Sequence, residues 1–222
     1  MKDLGSFIGK QLEVVISGKN HHTGILIDAG LDLIVLYDGY RYLYIPIVHV
    51  QHFQQKTSFG EQIESPTSQV PFDSQTESIS YRKTLEHARG RFVEIYVTGN
   101  QSIHGYVNSI MNDYFTFYSP VYKNLYISLN HVKWIIPYTQ SAAPYSLDQQ
   151  SFPVKPASVP LSRTFEQQCK RFVGSIVVFD LGEHPNKVGL LQQVDSNIID
   201  LVKGNGEWIY WNLEHIKTIH VP

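Results

Sequence analysis

The sequence predicts an all-β chain of three tandem, small, strongly bent five-stranded β-barrels, each led by a short N-terminal helix and joined by long linkers. Three observations carry this. A cassette occurs three times, as Tyr44-Ile45-Pro46-Ile47-Val48-His49-Val50-Gln51-His52-Phe53, Tyr126-Ile127-Ser128-Leu129-Asn130-His131-Val132-Lys133-Trp134-Ile135 and Tyr210-Trp211-Asn212-Leu213-Glu214-His215-Ile216-Lys217-Thr218-Ile219. Its pattern is aromatic, apolar, x, aliphatic, x, His, β-branched, x, x, apolar. Gly24, Gly105 and Gly189 keep the same phase ahead of His49, His131 and His215, and two markers in register through three copies identify a tandem array. Each copy also reads as the same succession of short β-branched or aromatic runs separated by turn residues.

In the first repeat, Leu4–Gly9 reads as a lead-in helix or turn ending at glycine. Leu12–Ile16 is strand one and Ser17–His22 a turn. Thr23–Asp28 is strand two, bent at Gly24, because glycine inside a strand marks sharp curvature or close backbone approach. Leu33–Tyr37 is strand three, Asp38-Gly39 a hairpin signal, and Arg41–Pro46 strand four. Ile47–Val50 turns a tight corner into a short last strand near Gln51–Phe53. The second repeat follows with Leu85–Gly90, Phe92–Thr98, a Gly99-Asn100 turn, Ile103–Ile110, Tyr114–Tyr118 and Leu125–Leu129. The third has Phe165–Phe172, Ser175–Phe179, Val188–Val194, Ile198–Val202, Trp208–Leu213 and Lys217–Val221. Strands this short hide an apolar face only by curling the sheet on itself.

The domain reading is therefore 1–53, 85–138 and 165–222, with linkers at 54–84 and 139–164. Both linkers are rich in Ser, Thr, Gln and Pro, and Phe59, Phe72, Tyr145 and Phe152 could pin them to a neighbouring surface. Units of this size are marginal on their own, so they are expected to lean on one another or on other chains.

Net charge is −2, each repeat is nearly neutral, and this balance argues against non-specific nucleic-acid binding. No apolar run is long enough to span a membrane. Met1–Gly5 lacks the apolar stretch of a signal peptide, which predicts a protein made in a cytosol that either stays in it or is deposited without Sec export. Cys169, the single cysteine, reads either as a buried small apolar residue or as an intermolecular crosslink. Aromatic residues make up 13% and charged ones 17%, a surface suited to contacts with other proteins.

The lead-in helix, the five bent strands, the glycine in strand two and the aliphatic-x-x-β-branched-x-x-apolar corner together resemble an Sm-like (SH3-type) barrel. Leu213–Ile219 and Leu129–Ile135 more specifically resemble the spore coat protein B family of endospore-forming bacilli, whose units end in a His-[Ile/Val]-Lys-Ser-Ile-like signature. The resemblance covers all three repeats. The first departs from it at Gln51-His52 and at Pro46. It implies a structural component of the spore coat or exosporium, assembled from the mother-cell cytoplasm, with itself and other coat proteins as partners, and no cofactor.

The repeated His49, His131 and His215 allow two readings: three ligands of one metal around a pseudo-threefold axis, or three rings that each hold their own corner by hydrogen-bonding backbone groups. No carboxylate or cysteine recurs with them, which favours the second, with no metal site. His21, His22 and His52 read as exposed turn or edge residues. Sm-like RNA sites resemble Asp-x-aromatic-x-Asn after strand two. Gly30-Leu31-Asp32, Asn112-Asp113-Tyr114 and Asp195-Ser196-Asn197 match this at best in part, and no Arg-Gly follows in the later loop. An RNA-binding Sm-like adaptor is the alternative function. Catalytic signatures such as Gly-x-Ser-x-Gly, the P-loop or His-Glu-x-x-His are absent from the sequence, and Asp28, Asp32, Asp195 and Asp200 show no repeated pairing, so no catalytic residues are assigned. Assembly through unpaired strand edges is the preferred reading, with Tyr44, Tyr126, Ile127, Ile209, Tyr210 and Trp211 as candidate inter-barrel seam residues.

Overall fold

The structure, a computed structural model, describes residues 4–56, 62–67, 70–72, 78–98, 101–138, 145 and 160–222. In the first repeat a 3-10 turn, Leu4–Phe7, precedes β1 (Gln11–Ile16), β2 (Asn20–Ala29), β3 (Leu33–Tyr37), β4 (Tyr42–Pro46) and β5 (Val50–Gln55). The second has α1 (Tyr81–Ala88), β6 (Phe92–Tyr96), β7 (Ser102–Ile110), β8 (Tyr114–Ser119), β9 (Lys123–Ser128) and β10 (Trp134–Pro137). The third has α2 (Phe165–Lys170), β11 (Ile176–Phe179), β12 (Val188–Asp195), β13 (Ile198–Val202), β14 (Trp208–Asn212) and β15 (Thr218–His220). The described chain is thus antiparallel β-structure with two short α-helices, as expected of an all-β protein.

Several boundaries differ from the sequence reading for local reasons. α1 starts inside the expected 54–84 linker because the Ser80 hydroxyl accepts from the Lys83 N–H, a cap that sets the helix start. Thr164 caps α2 in the same way through Gln167 N–H. His21 and His22 lie within β2 rather than in a turn, and β5 runs to Gln55, past the expected end at Phe53. In the first linker Phe72 is buried against Tyr44, ring centroids 5.1 Å apart, and its N–H donates to Tyr44 Oη at 3.1 Å. Phe59, Phe152 and the Gly99-Asn100 turn lie outside the described residues.

The chain divides into two compact units, residues 1–95 with 133–142 and residues 96–132 with 143–222. In the first, the strand order is β6-β10-β4-β3-β2-β1-β5; in the second it is β14-β13-β12-β11-β15-β9-β8-β7. Each is an open sheet rather than a set of separately closed barrels. The reason is that strand four of one repeat hydrogen-bonds strand five of the next instead of closing on its own. In the first unit β1 turns Leu12, Val14 and Ile16 into the core. In the second, Phe165, Cys169 and Phe172 from α2 and its exit join Tyr114, Tyr126, Phe179, Leu201 and Ile219 in one cluster. Cys169 is fully buried there and burial pushes its thiol pKa up, so the folded protein presents it for no crosslink.

Gly24, Gly105 and Gly189 occupy one position on strand two, opposite the end of strand three. A Cβ there would collide with the backbone carbonyl of Tyr37, Tyr118 or Val202 respectively. Shortly beyond each glycine the ladder to strand three shifts register, between Leu26 and Asp28, Val107 and Ile110, and Leu191 and Gln193. The sheet bends where the two backbones come closest.

Candidate functional site

The corner between strands four and five is a single 3-10 turn in every repeat, at Ile47–His49, Leu129–His131 and Leu213–His215. Each turn opens with a backbone N–H donated to the strand two–three loop: Ile47 to Asp32 O at 2.8 Å, Leu129 to Asp113 O at 2.9 Å and Leu213 to Asn197 O at 2.8 Å. The corner therefore aims strand five away from its own strand four and toward strand one.

Strand four is left with one outer edge, and in two repeats the following repeat fills it. Tyr44 of β4 lies opposite Ile135 of β10. Tyr126 and Ile127 of β9 lie opposite Ile219 and Thr218 of β15. Counted from the cassette, the Tyr44–Ile135 and Tyr126–Ile219 pairs are the same pair. Ser128 N–H donates across the second seam to Lys217 O at 2.9 Å. Because N–H direction alternates along a strand, Tyr126 and Ser128 face the seam while Ile127 and Leu129 face their own repeat. Pro46 stands at the Ser128 position, where proline removes only the outward donor.

The lead-in helix covers the same edge. Phe172, just beyond α2, packs on Tyr126 with ring centroids 5.0 Å apart, and Phe165 packs on Tyr114 at 5.9 Å. The carboxylates of two of the three loops that resembled partial RNA sites are spent here. Asp32 Oδ1 accepts from the Tyr81 N–H of α1 at 2.9 Å, and Asp113 Oδ1 from the Phe165 N–H of α2 at 2.8 Å. Sequence reasoning missed this role; the signal was that Asp32, Asp113 and Asn197 stand 12, 13 and 13 residues ahead of the tyrosines that open the cassettes.

A Bacillus subtilis (strain 168) protein described as "Uncharacterized protein YwrJ" is 47% identical to this chain over 226 residues, spanning 100% of both. The chain belongs to the YwrJ family. A family model described as the YwrJ third domain matches residues 164–219, which contain α2 and β11–β15.

In this YwrJ-family chain the three histidines do different things. His49 is half-buried, with Nδ1 3.1 Å from Ser17 Oγ in a hydrogen bond, and its carbonyl accepts from Ser17 N–H at 2.9 Å. His131 does not stay within its own repeat: its Nε2 bonds the Glu214 carbonyl at 2.8 Å, locking the second seam. His215, in the third repeat, is exposed. Among the described residues no three His, Cys, Asp or Glu side chains gather as a metal site.

The second seam carries a further lock that the sequence did not announce. Asp180 is fully buried and its carboxylate accepts from Lys217 N–H at 2.7 Å, Thr218 N–H at 3.1 Å and Lys187 Nζ at 2.5 Å. Lys187 Nζ also sits 4.1 Å from the Trp211 ring centroid, a cation–π contact. Lys217 Nζ donates to Thr98 Oγ1 of the preceding repeat at 2.8 Å, which donates to Glu183 Oε2 at 2.7 Å. Asp180 could not be recognised because nothing recurs at its position in the other repeats.

Burial holds the pKa of His131 below the usual histidine value of 6.5, with its bond to the Glu214 carbonyl pulling weakly the other way; burial also lowers His22 and His220. A depressed folded pKa means that the unfolded chain binds protons first as pH falls. Stability is therefore complete above about 6.5 and declines as pH drops through the folded values. Urea unfolding midpoints should fall from pH 7 to pH 5, and the fall should be smaller in His131→Gln. A midpoint flat across that range would contradict the assignment.

Proposed function

We propose that the chain is a structural, self-assembling component of the bacterial spore coat or exosporium. It is built of three Sm-like units at 1–53, 85–138 and 165–222 that associate through strand edges, rather than an enzyme. The observation that carries this is the seam: the chain uses strand-four to strand-five pairing twice, and the strand order leaves β14 and β5 as the end strands of their sheets. Within each fully described repeat the order five-one-two-three-four, seen as β5-β1-β2-β3-β4 and β15-β11-β12-β13-β14, is what supports the Sm-like reading. Partners on this reading are other copies and other coat proteins, reached from the mother-cell cytoplasm.

The reading predicts that a fluorescent fusion made during sporulation encircles the developing spore and remains with purified spores. Diffuse mother-cell fluorescence lost on purification would reject it. The RNA-adaptor alternative is separated by filter binding at low salt: tight retention falling steeply with salt would favour RNA. With Asp32 and Asp113 engaged by helix N–H groups, little retention is expected.

A further inference from the structure

The two ends of the array lack complementary things. At the third repeat, positions covered in the other two are bare. Tyr44 and Tyr126 are 0% and 3% exposed, whereas their counterpart Tyr210 is 64% exposed. Leu33 and Tyr114 are both 0% exposed, whereas Ile198 is 42% exposed. At the first repeat, the counterparts of the elements that do this covering are themselves not buried. β5 is largely exposed, while its counterparts β10 and β15 are wholly buried. The lead-in Leu4–Phe7 buries none of its residues, while α1 buries Thr84, Leu85 and Ala88 and α2 buries Phe165, Gln168 and Cys169.

Resting on the self-assembly reading, we infer that a second copy of this chain docks head to tail: β5 of one copy pairs antiparallel with β14 of the previous one. The two intrachain seams fix the register. Tyr210 lies opposite Phe53, as Tyr126 lies opposite Ile219. Asn212 lies opposite Gln51, as Ser128 faces Lys217. The His215 ring reaches the Val48 carbonyl, as His131 reaches that of Glu214, and Phe7 packs on Tyr210, as Phe172 packs on Tyr126. The contact is heterologous, so successive copies form a ring if the rotation closes and a filament if it does not. Exposed, aromatic edge strands left unpaired are otherwise an aggregation hazard.

Two full-length single variants, Gln51→Cys and Asn212→Cys, test this, since both positions are exposed and the buried Cys169 is silent. Mixed and treated with a short bismaleimide, they should give crosslinked dimer in at least tenfold excess over either variant alone. Crosslinking by one variant alone would overturn the head-to-tail polarity. Oligomers by sedimentation with no crosslink in the mixture would overturn the register while leaving self-assembly standing. A monomer at every concentration would overturn both.

Discussion

Gly105→Ala is expected to destabilise the protein by about 3 kcal/mol or more, read as a lowered urea midpoint. A methyl group at this position would lie inside the contact distance of the Tyr118 carbonyl oxygen and of a Phe117 ring carbon. The carbonyl belongs to the backbone of β8, and Tyr106, next along β7, pairs with Tyr118 itself. Relief therefore requires the ladder to open, in contrast to a clash with the end of a flexible side chain, which can swing away. Gly204→Ala is the control. No atom lies within 4 Å of a Cβ there, so its effect should stay within about 0.5 kcal/mol. Equal midpoints for the two variants would contradict the close-approach account of the repeated glycine.

Asp180→Ala should cost about 3–5 kcal/mol, because removing one partner of a buried ion pair leaves the other charge without compensation. Here the loss is wider than one pair. The Lys187 ammonium is stranded at a nearly buried site, and the N–H groups of Lys217 and Thr218 lose their acceptor at the start of β15. Asp180→Ala combined with Lys187→Met should recover part of the loss, since the second change removes the stranded charge and keeps an apolar chain against Trp211. A double variant no more stable than Asp180→Ala would show that the backbone donors, not the ammonium, dominate. A single variant within 1 kcal/mol of wild type would refute the buried-pair account.

Much of the architecture was legible because it is periodic. The cassette and the glycine marked every repeat, and β-branched runs such as Leu12–Ile16 and Leu33–Tyr37 placed strands to within a few residues. Boundaries slipped where a single polar side chain decides them. Ser80 starts α1 four residues before the apolar pattern begins, and His22, read as a turn residue, continues β2 because its ring packs edge-on against Trp134 at 4.7 Å. The seam residues Tyr44, Tyr126 and Ile127 do lie where repeats meet, and Ile209, Tyr210 and Trp211 lie on the strand that ends its sheet. Their roles within the strand were not legible. A strand's alternation shows which face a side chain takes, not which edge its N–H takes. Ile127 and Ile209 donate inward, so proline at either would break the repeat itself; Tyr210 donates outward. His131 reaching Glu214 was likewise invisible, because it joins residues far apart in sequence through a seam that only the assembled sheet defines.

Sedimentation velocity of the full chain and of Tyr210→Pro, over a wide range of concentration, tests most directly whether the seam used twice within the chain is used again between chains. The wild type should shift to larger species as concentration rises, and Tyr210→Pro, stripped of its outward donor, should remain a monomer with an unchanged circular-dichroism spectrum. A wild-type chain that sediments as a single monomeric species throughout would contradict the account.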